Sequence, residues 1–434
     1  PLLVVLFALP LGIPSFVGSY TWVATFYELA PRSTLIYGLP GAIIVLSLAM
    51  YPYIYLPVVA ALRGLDPAQE EAARSLGLKP RAAFFRVTLP RLRTAIAGGA
   101  LIIALHMFAE FGALELLRFR TLATAIVQRV TVLSAPEAAR TLSLVLAVGS
   151  LALLALDMKA RGRPSATRTG GGVARAPTLW RLGRTKWLWL AASALLLTLS
   201  LGVPLSAMGG GLVRLLVRPD AAFDWTRLLA ATQDTAQYAL ITAVVASIVA
   251  IPVSFLAVRY PGRLALAAER STWIAHSLPG VIVSLALVYL AVRWLYPLYQ
   301  TSALLVVGYV ILYLPIAIGA QQVGFAQAAP QFDNVARSLG VSSIAAFFRV
   351  TLSLALPGMA VGAVMVMLNV GKELTMTLLL HPTGSRTLAT ALWATTEGEV
   401  LDFAAAAPYA VSLVLITALP AFLLIRQTLR GARR

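Results

Sequence analysis

Ten apolar runs divide this chain, at roughly 1–24, 35–61, 95–117, 139–156, 187–208, 236–258, 273–295, 303–325, 356–380 and 406–425. A helix crossing the hydrocarbon core of a bilayer needs about 20 mostly apolar residues, and lipid offers no water to an unpaired backbone amide. Runs of this length and number restrict the fold to an all-α, polytopic transmembrane protein. Composition agrees: 59% of the residues are hydrophobic and 12% charged, roughly half the charge of an ordinary soluble domain. Pro10, Pro14, Pro252, Pro279 and Pro315 fall inside the runs, and membrane helices tolerate Pro better than soluble ones.

The formal charge of +18 raises nucleic acid as a partner, but the placement of the basic residues excludes it. Lys and Arg lie between apolar runs and form no stripe with interleaved aromatics. Basic loops resist translocation and stay cytoplasmic. One alternating topology puts 24 of the 35 Lys and Arg on one side, in loops 62–94, 157–186, 259–272 and 326–355 and the C-terminal tail. Ten lie on the other side, and Lys372 falls within a run. The absence of cysteine removes disulfides, thiolate metal sites and cysteine catalysis. The chain opens at Pro1 inside an apolar run with no charged leader, which reads as a truncation and not as a signal peptide.

The chain also repeats itself. Ala73-Arg74-Ser75-Leu76-Gly77 recurs as Ala336-Arg337-Ser338-Leu339-Gly340, and the stretch from Ala82 to Leu89 recurs from Ala345 to Leu352, both at an offset of 263. The same offset pairs Glu110 with Glu373. Arg120 to Ala125 recurs as Arg386 to Ala391, and Tyr55-Leu56-Pro57 as Tyr313-Leu314-Pro315. Both repeated loops belong to the basic side, so the copies share one orientation. Such a parallel repeat gives a pseudo-two-fold axis along the membrane normal. The expected organisation is a first half at 1–156 with four spans, a Gly/Pro/Arg-rich cytoplasmic linker at 157–186, and a second half at 187–434 with six spans. By symmetry the first half lacks two N-terminal helices.

The repeated loop reads as a short helix ended by Gly77 in a left-handed cap, then a second helix exposing Phe84 and Phe85. A knob of this shape suits a groove on a partner; the alternative is a helix lying on the membrane interface. Glu71-Ala72-Ala73, Gly77 and Leu89-Pro90 resemble the EAA loop of ABC importer permeases, binding-protein-dependent inner-membrane transport components. The resemblance implies the type I permease fold, a coupling helix at Glu71, Ala72, Ala73, Gly77, Leu89 and Pro90, and a second at Ala336, Gly340 and Leu352. The second copy departs from the pattern, with Asn334 and Val335 for Glu71 and Ala72, and Ser353 for Pro90, so asymmetric coupling is expected.

Over nearly the whole chain the resemblance is to fused two-domain permeases of ferric-iron and thiamine importers. Ala109 to Ala113, Lys372 to Leu374, His381 to Gly384 and Thr387 to Thr390 look most like the ferric-iron type. It implies a multi-pass protein of the bacterial inner membrane, an ATP-binding subunit dimer that holds the ATP, a periplasmic or lipid-anchored substrate-binding protein, and no cofactor on this chain. The sequence contains no G-x-x-x-x-G-K-[ST] phosphate loop, so the chain is expected to be a transport subunit and not an enzyme. A secondary transporter with parallel repeats is the alternative of a different class; it would need no repeated docking loop.

Ionisable groups within membrane spans are costly and usually mark a pathway or a pair. Glu110 and Glu373 are therefore candidates for the translocation pathway, where carboxylate oxygens would suit a hard cation; the alternative is a structural role. His106 shares a helix face with Glu110, a pair that more often reflects packing than metal ligation. His276 and His381 read as loop or helix-end residues. Gly358-x-x-x-Gly362 could bring two helices close, although chance explains it as well in so Gly-rich a chain. Trp187, Trp189, Trp273, Trp294 and Trp393 near span ends read as interfacial anchors.

Overall fold

A computed structural model describes residues 2–65, 68–133, 135–161, 183–217, 223–396 and 402–431, and among these every regular element is helical. The first copy of the repeat begins with α1 (Leu2–Ala8), a 3-10 turn (Leu9–Gly12) and α2 (Ser15–Leu29). The two arms meet at 91°. Pro14, in extended backbone at the junction, has no amide to continue the ladder. Next come α3 (Gly38–Met50) and α4 (Pro52–Gly64), which together make one 27-residue span. The following connection folds into α5 (Ala68–Ser75) and α6 (Pro80–Ala83), and a π-helical turn (Phe84–Thr88) leads into α7 (Leu89–Ala109). Short helices α8 (Gly112–Leu116) and α9 (Leu122–Thr131) precede the long α10 (Pro136–Arg161).

Between the copies stand α11 (Lys186–Leu197), α12 (Val203–Val217) and the 35-residue α13 (Trp225–Arg259). The second copy then repeats the first. Helices α14 (Arg263–Ser277) and α15 (Gly280–Trp294) meet at 102° beside Pro279, and α16 (Ser302–Gln327) is a single span. Helices α17 (Pro330–Ser338) and α18 (Ser343–Ala346) and a second π-helical turn (Phe347–Thr351) enter α19 (Leu352–Gly371). Short helices α20 (Thr375–Leu380) and α21 (Leu388–Thr396) lead to α22 (Phe403–Gly431).

Among the described residues seven helices are long and apolar enough to cross a bilayer, or nine with the two bent pairs. The last apolar run forms a shorter apolar helix over Phe403–Ala418. All ten runs of the sequence are helical, but four are not straight spans. Runs 1–24 and 273–295 bend at Pro14 and Pro279, and runs 95–117 and 356–380 break at Glu110 and Glu373. The expected linker is shorter at both ends, because α10 continues through Arg161 and helical structure resumes at Gly183; residues 162–182 lie outside the described set.

Packing follows the logic of a protein dissolved in lipid. On α13 the exposed stripe carries Leu240, Ile241, Val244, Val245, Ile248 and Val249, while the buried face carries Thr235, Ala239, Ala243, Ala246, Ala250 and Ser254. Large side chains meet lipid and small ones let backbones approach. At Gly358 a Cβ would lie 2.8 Å from the Gly324 Cα, and at Gly362 3.0 Å from the Ala320 side chain. Gly358-x-x-x-Gly362 is thus a true close approach of α19 to α16. Trp187, Trp189, Trp273 and Trp294 are exposed, as anchors should be, but Trp393 is buried and packs its ring 5.2 Å from Phe111. That contact joins the two copies, so Trp393 is a core residue.

One hydrophobic cluster draws on both copies, from Phe16, Tyr20 and Leu117 to Leu374, Leu388 and Leu413. The Tyr20 hydroxyl donates to the Phe403 carbonyl at 2.5 Å, and Thr417 donates to the Gly12 carbonyl at 3.0 Å. The sidedness of the repeated loops follows from connectivity. Tyr238 near the start of α13 meets Ser302 at the start of α16, and Arg259 at the end of α13 meets Ala328 just beyond α16. The two helices run parallel, and the α17 loop lies at the inner end of α13. Four spans (α7, α10, α11–α12 and α13) separate the α5 loop from that same end, an even number, which returns the chain to one face.

Candidate functional site

The two repeated loops adopt the same local structure in detail. Helix α5 ends at Gly77, whose φ of 91° lies in the left-handed region where only Gly is unstrained. The Gly77 amide donates to the Arg74 carbonyl at 2.9 Å and the Leu78 amide to Ala73 at 3.2 Å, the double closure of a Schellman cap. In the second copy Gly340 has φ 83°, and the corresponding bonds are Gly340 to Arg337 at 3.0 Å and Val341 to Ala336 at 3.1 Å. Each cap turns the chain into a second helix whose paired rings stand edge to face, Phe84–Phe85 at 5.3 Å and Phe347–Phe348 at 5.2 Å.

Glu71, Ala72, Gly77 and Pro90 are exposed, Ala73 and Leu89 half-buried. In the second loop Ala336 is buried, Gly340 exposed and Leu352 half-buried. Leu76 and Leu339 are 86% and 78% exposed, and Phe85 and Phe348 63% and 60%. Apolar tips this open at the basic end of the molecule make two matched knobs. Pro90 lies just past the π-helical turn, inside the continuous helix Pro80–Ala109, and has no amide to continue the ladder there. Ser353, which replaces it, donates to the Phe348 carbonyl at 3.4 Å.

Sequence reasoning missed what holds each knob together. The Thr88 hydroxyl donates to Glu70 at 3.3 Å, and the Thr351 hydroxyl donates to Asp333. The offset of 263 pairs Glu70 with Asp333 and Thr88 with Thr351, a signal that was present but carried by residues outside the loop motif. Asp333 is further bound by Arg259 at 2.9 Å.

The membrane-embedded carboxylates lie where spans are broken. Helix α7 stops at Ala109; one Glu110 oxygen accepts from the Ala113 amide at 3.0 Å and the other from the Ser15 hydroxyl at 2.5 Å. Ser15 is the first residue of α2, at the 91° bend. In the second copy one Glu373 oxygen accepts from the Met376 and Thr377 amides at 2.9 and 3.2 Å. The other faces Gly280, the first residue of α15, where a Cβ would lie 3.0 Å away. Each carboxylate therefore meets the positive end of a short helix and the bend of a broken span. The two carboxylates are within electrostatic reach of each other, and Lys372 within reach of Glu110.

The three histidines are engaged elsewhere. His106 pairs with the Tyr53 hydroxyl at 3.3 Å with its ring tilted 40° against that of Tyr53, His276 meets the Leu312 carbonyl, and His381 the Thr377 carbonyl. Among the described residues no group of three or more His, Cys, Asp or Glu could hold a metal ion.

Comparison with known proteins gives a consistent result. The family of binding-protein-dependent transport system inner membrane components matches residues 1–158 and 244–428. The chain is 34% identical over 417 residues to the Fe(3+)-transport system permease protein FbpB 2 of Haemophilus influenzae, covering 96% of this chain and 80% of that one. It is 26% identical over 422 residues to a probable ABC transporter permease protein, y4fN, of Sinorhizobium fredii, covering 92% and 73%. A shorter match of 31% over 173 residues is to the molybdenum transport system permease protein ModB of Mycobacterium bovis, covering 36% and 63%.

Proposed function

The chain belongs to the binding-protein-dependent transport system inner membrane components and is an ABC importer permease; we propose that it carries ferric iron across the bacterial inner membrane. The substrate reading is supported by the likeness to the Haemophilus influenzae Fe(3+) permease along nearly the whole chain. In this reading 1–156 and 187–434 are the two permease halves. The pathway lies between them, near Glu110 and Glu373, whose negative charge favours an incoming cation.

The observation that carries the mechanism is the pair of matched knobs on one face. Glu71, Ala72, Ala73, Gly77, Leu89 and Pro90 form the first coupling loop, and Ala336, Gly340 and Leu352 belong to the second. Each knob docks on one of two ATP-binding subunits, which supply the energy. ATP binding brings the subunits together, and the halves rock between inward-open and outward-open arrangements. A substrate-binding protein, periplasmic or lipid-anchored, delivers the iron at the opposite face. Ferric ion here is cargo, attracted electrostatically by the two carboxylates.

Two measurements test this reading. Affinity purification of the chain should recover an ATP-binding-cassette subunit, and exchange of Glu71 or Gly77 should weaken recovery. Uptake of radiolabelled ferric iron should depend on the chain and resist competition by thiamine, sulfate and molybdate. Competition by molybdate or sulfate would assign the chain to oxyanion import instead.

A further inference from the structure

Helix α13 is bonded at both ends to loops on opposite faces of the membrane. At its inner end Arg259, whose side chain is 8% exposed, donates through one nitrogen to the Ala328 carbonyl at 2.6 Å and to Asp333 at 2.9 Å. Asp333 lies in α17, and its other oxygen accepts from Thr351 in the turn after α18. A single shielded cation thus fastens both arms of the second knob to α13. At its outer end Asp234 accepts from the Ser385 hydroxyl at 2.8 Å and the Arg386 amide at 3.2 Å. Thr235 accepts from the Leu388 amide at 2.8 Å, and Tyr238 pairs with Ser385 at 3.1 Å. These bonds hold the loop 382–387 between α20 and α21.

The 25 residues from Asp234 to Arg259 span about 37 Å, more than the hydrocarbon thickness of about 30 Å. The helix contains Pro252, a place where a rod could hinge. Gln321 of α16 prevents this. Fully buried, it donates to the Ser247 carbonyl at 2.8 Å and accepts from the Ser254 hydroxyl at 2.8 Å. It therefore splints α13 on both sides of Pro252.

We propose that Arg259 is a positioning residue that passes movement of the second knob to α13, and that α13 carries it as a rigid element to the outer loop 382–387. The proposal rests on the docking role assigned to α17 above. Coupling through a structure requires an element whose position both ends bias, and α13 has a polar clasp at each end and a splint between. Its direction is reciprocal: a binding protein that moves the outer loop displaces the knob beneath.

The test uses the permease in nanodiscs with its ATP-binding subunit and substrate-binding protein. Three quantities are read: recovery of the ATPase, basal hydrolysis, and stimulation by loaded binding protein. Arg259→Met is expected to keep recovery and basal hydrolysis while lowering stimulation about fivefold or more. Arg259→Lys, which retains the charge toward Asp333, should keep most of the stimulation. Asp234→Ala at the far end, which removes the oxygen that accepts from Ser385 and Arg386, should lower stimulation too, and the double variant should be no worse than the poorer single, because both act on one rod. Full stimulation in Arg259→Met or an additive loss in the double variant would overturn the proposal. Should Arg259→Met fail to fold, Asp234→Ala decides, and unchanged stimulation there overturns it. Absence of any ATPase with the unaltered chain is a different result, which refutes the docking role itself.

Discussion

The Ser15 hydroxyl donates to the Glu110 carboxylate at 2.5 Å, tying the bend of the first broken span to the end of α7. Gly280 occupies the matching place at the second bend and offers Glu373 no side chain. The two carboxylates that the repeat makes equivalent are thus held unequally: both oxygens of Glu110 have a donor, while those bonded to Glu373 all meet one oxygen.

Glu110→Gln together with Glu373→Gln should separate charge from capping. A Gln carbonyl can still accept from the helix amides, so the broken spans keep their caps and the protein its assembly. Uptake should fall about tenfold, the equivalent of about 1.4 kcal/mol of lost attraction. Transport assays in proteoliposomes, with the amount of assembled complex measured alongside, decide it. Unchanged uptake would leave both residues as helix caps only.

Gly77→Ala and Gly340→Ala place a side chain on left-handed backbone, which costs about 1–2 kcal/mol. Nothing lies within 4 Å of a Cβ at either position, so the penalty comes from the backbone alone. Recovery of the ATPase should weaken for each variant. Asn, which tolerates this conformation better, should recover more of it than Ala.

Gly358→Ala should destabilise the membrane domain by about 1–3 kcal/mol through overpacking, because its Cβ would meet backbone of Gly324 and Ala320 within 3.0 Å. Gly319→Ala provides the control, with nothing within 4 Å. Thermal unfolding in detergent should show a lower midpoint for the first and an unchanged midpoint for the second.

Much of this architecture is legible in the sequence, because lipid imposes length and apolarity on every span and a repeat reports symmetry directly. The left-handed caps at Gly77 and Gly340 were readable for the same reason: a Gly after a short polar helix has few other uses. The breaks at Glu110 and Glu373 were not, since an apolar run looks alike whether one helix or two traverse it. Nothing local marks a carboxylate that caps amides three residues on. Trp393 was misread because hydropathy does not reveal whether a ring near a span end meets lipid or another helix. Arg259 was counted only as a loop charge; its partner Asp333 lies 74 residues away, and no local pattern links them.

The central claim is that two equivalent knobs face one compartment, where a separate motor grips both. The chain has no cysteine, so Ser75→Cys and Ser338→Cys each create a single reporter at exposed, matched sites. A membrane-impermeant maleimide should label both in inside-out vesicles and neither in right-side-out vesicles. Labelling of the two positions from opposite faces, or of both from outside, would contradict the account.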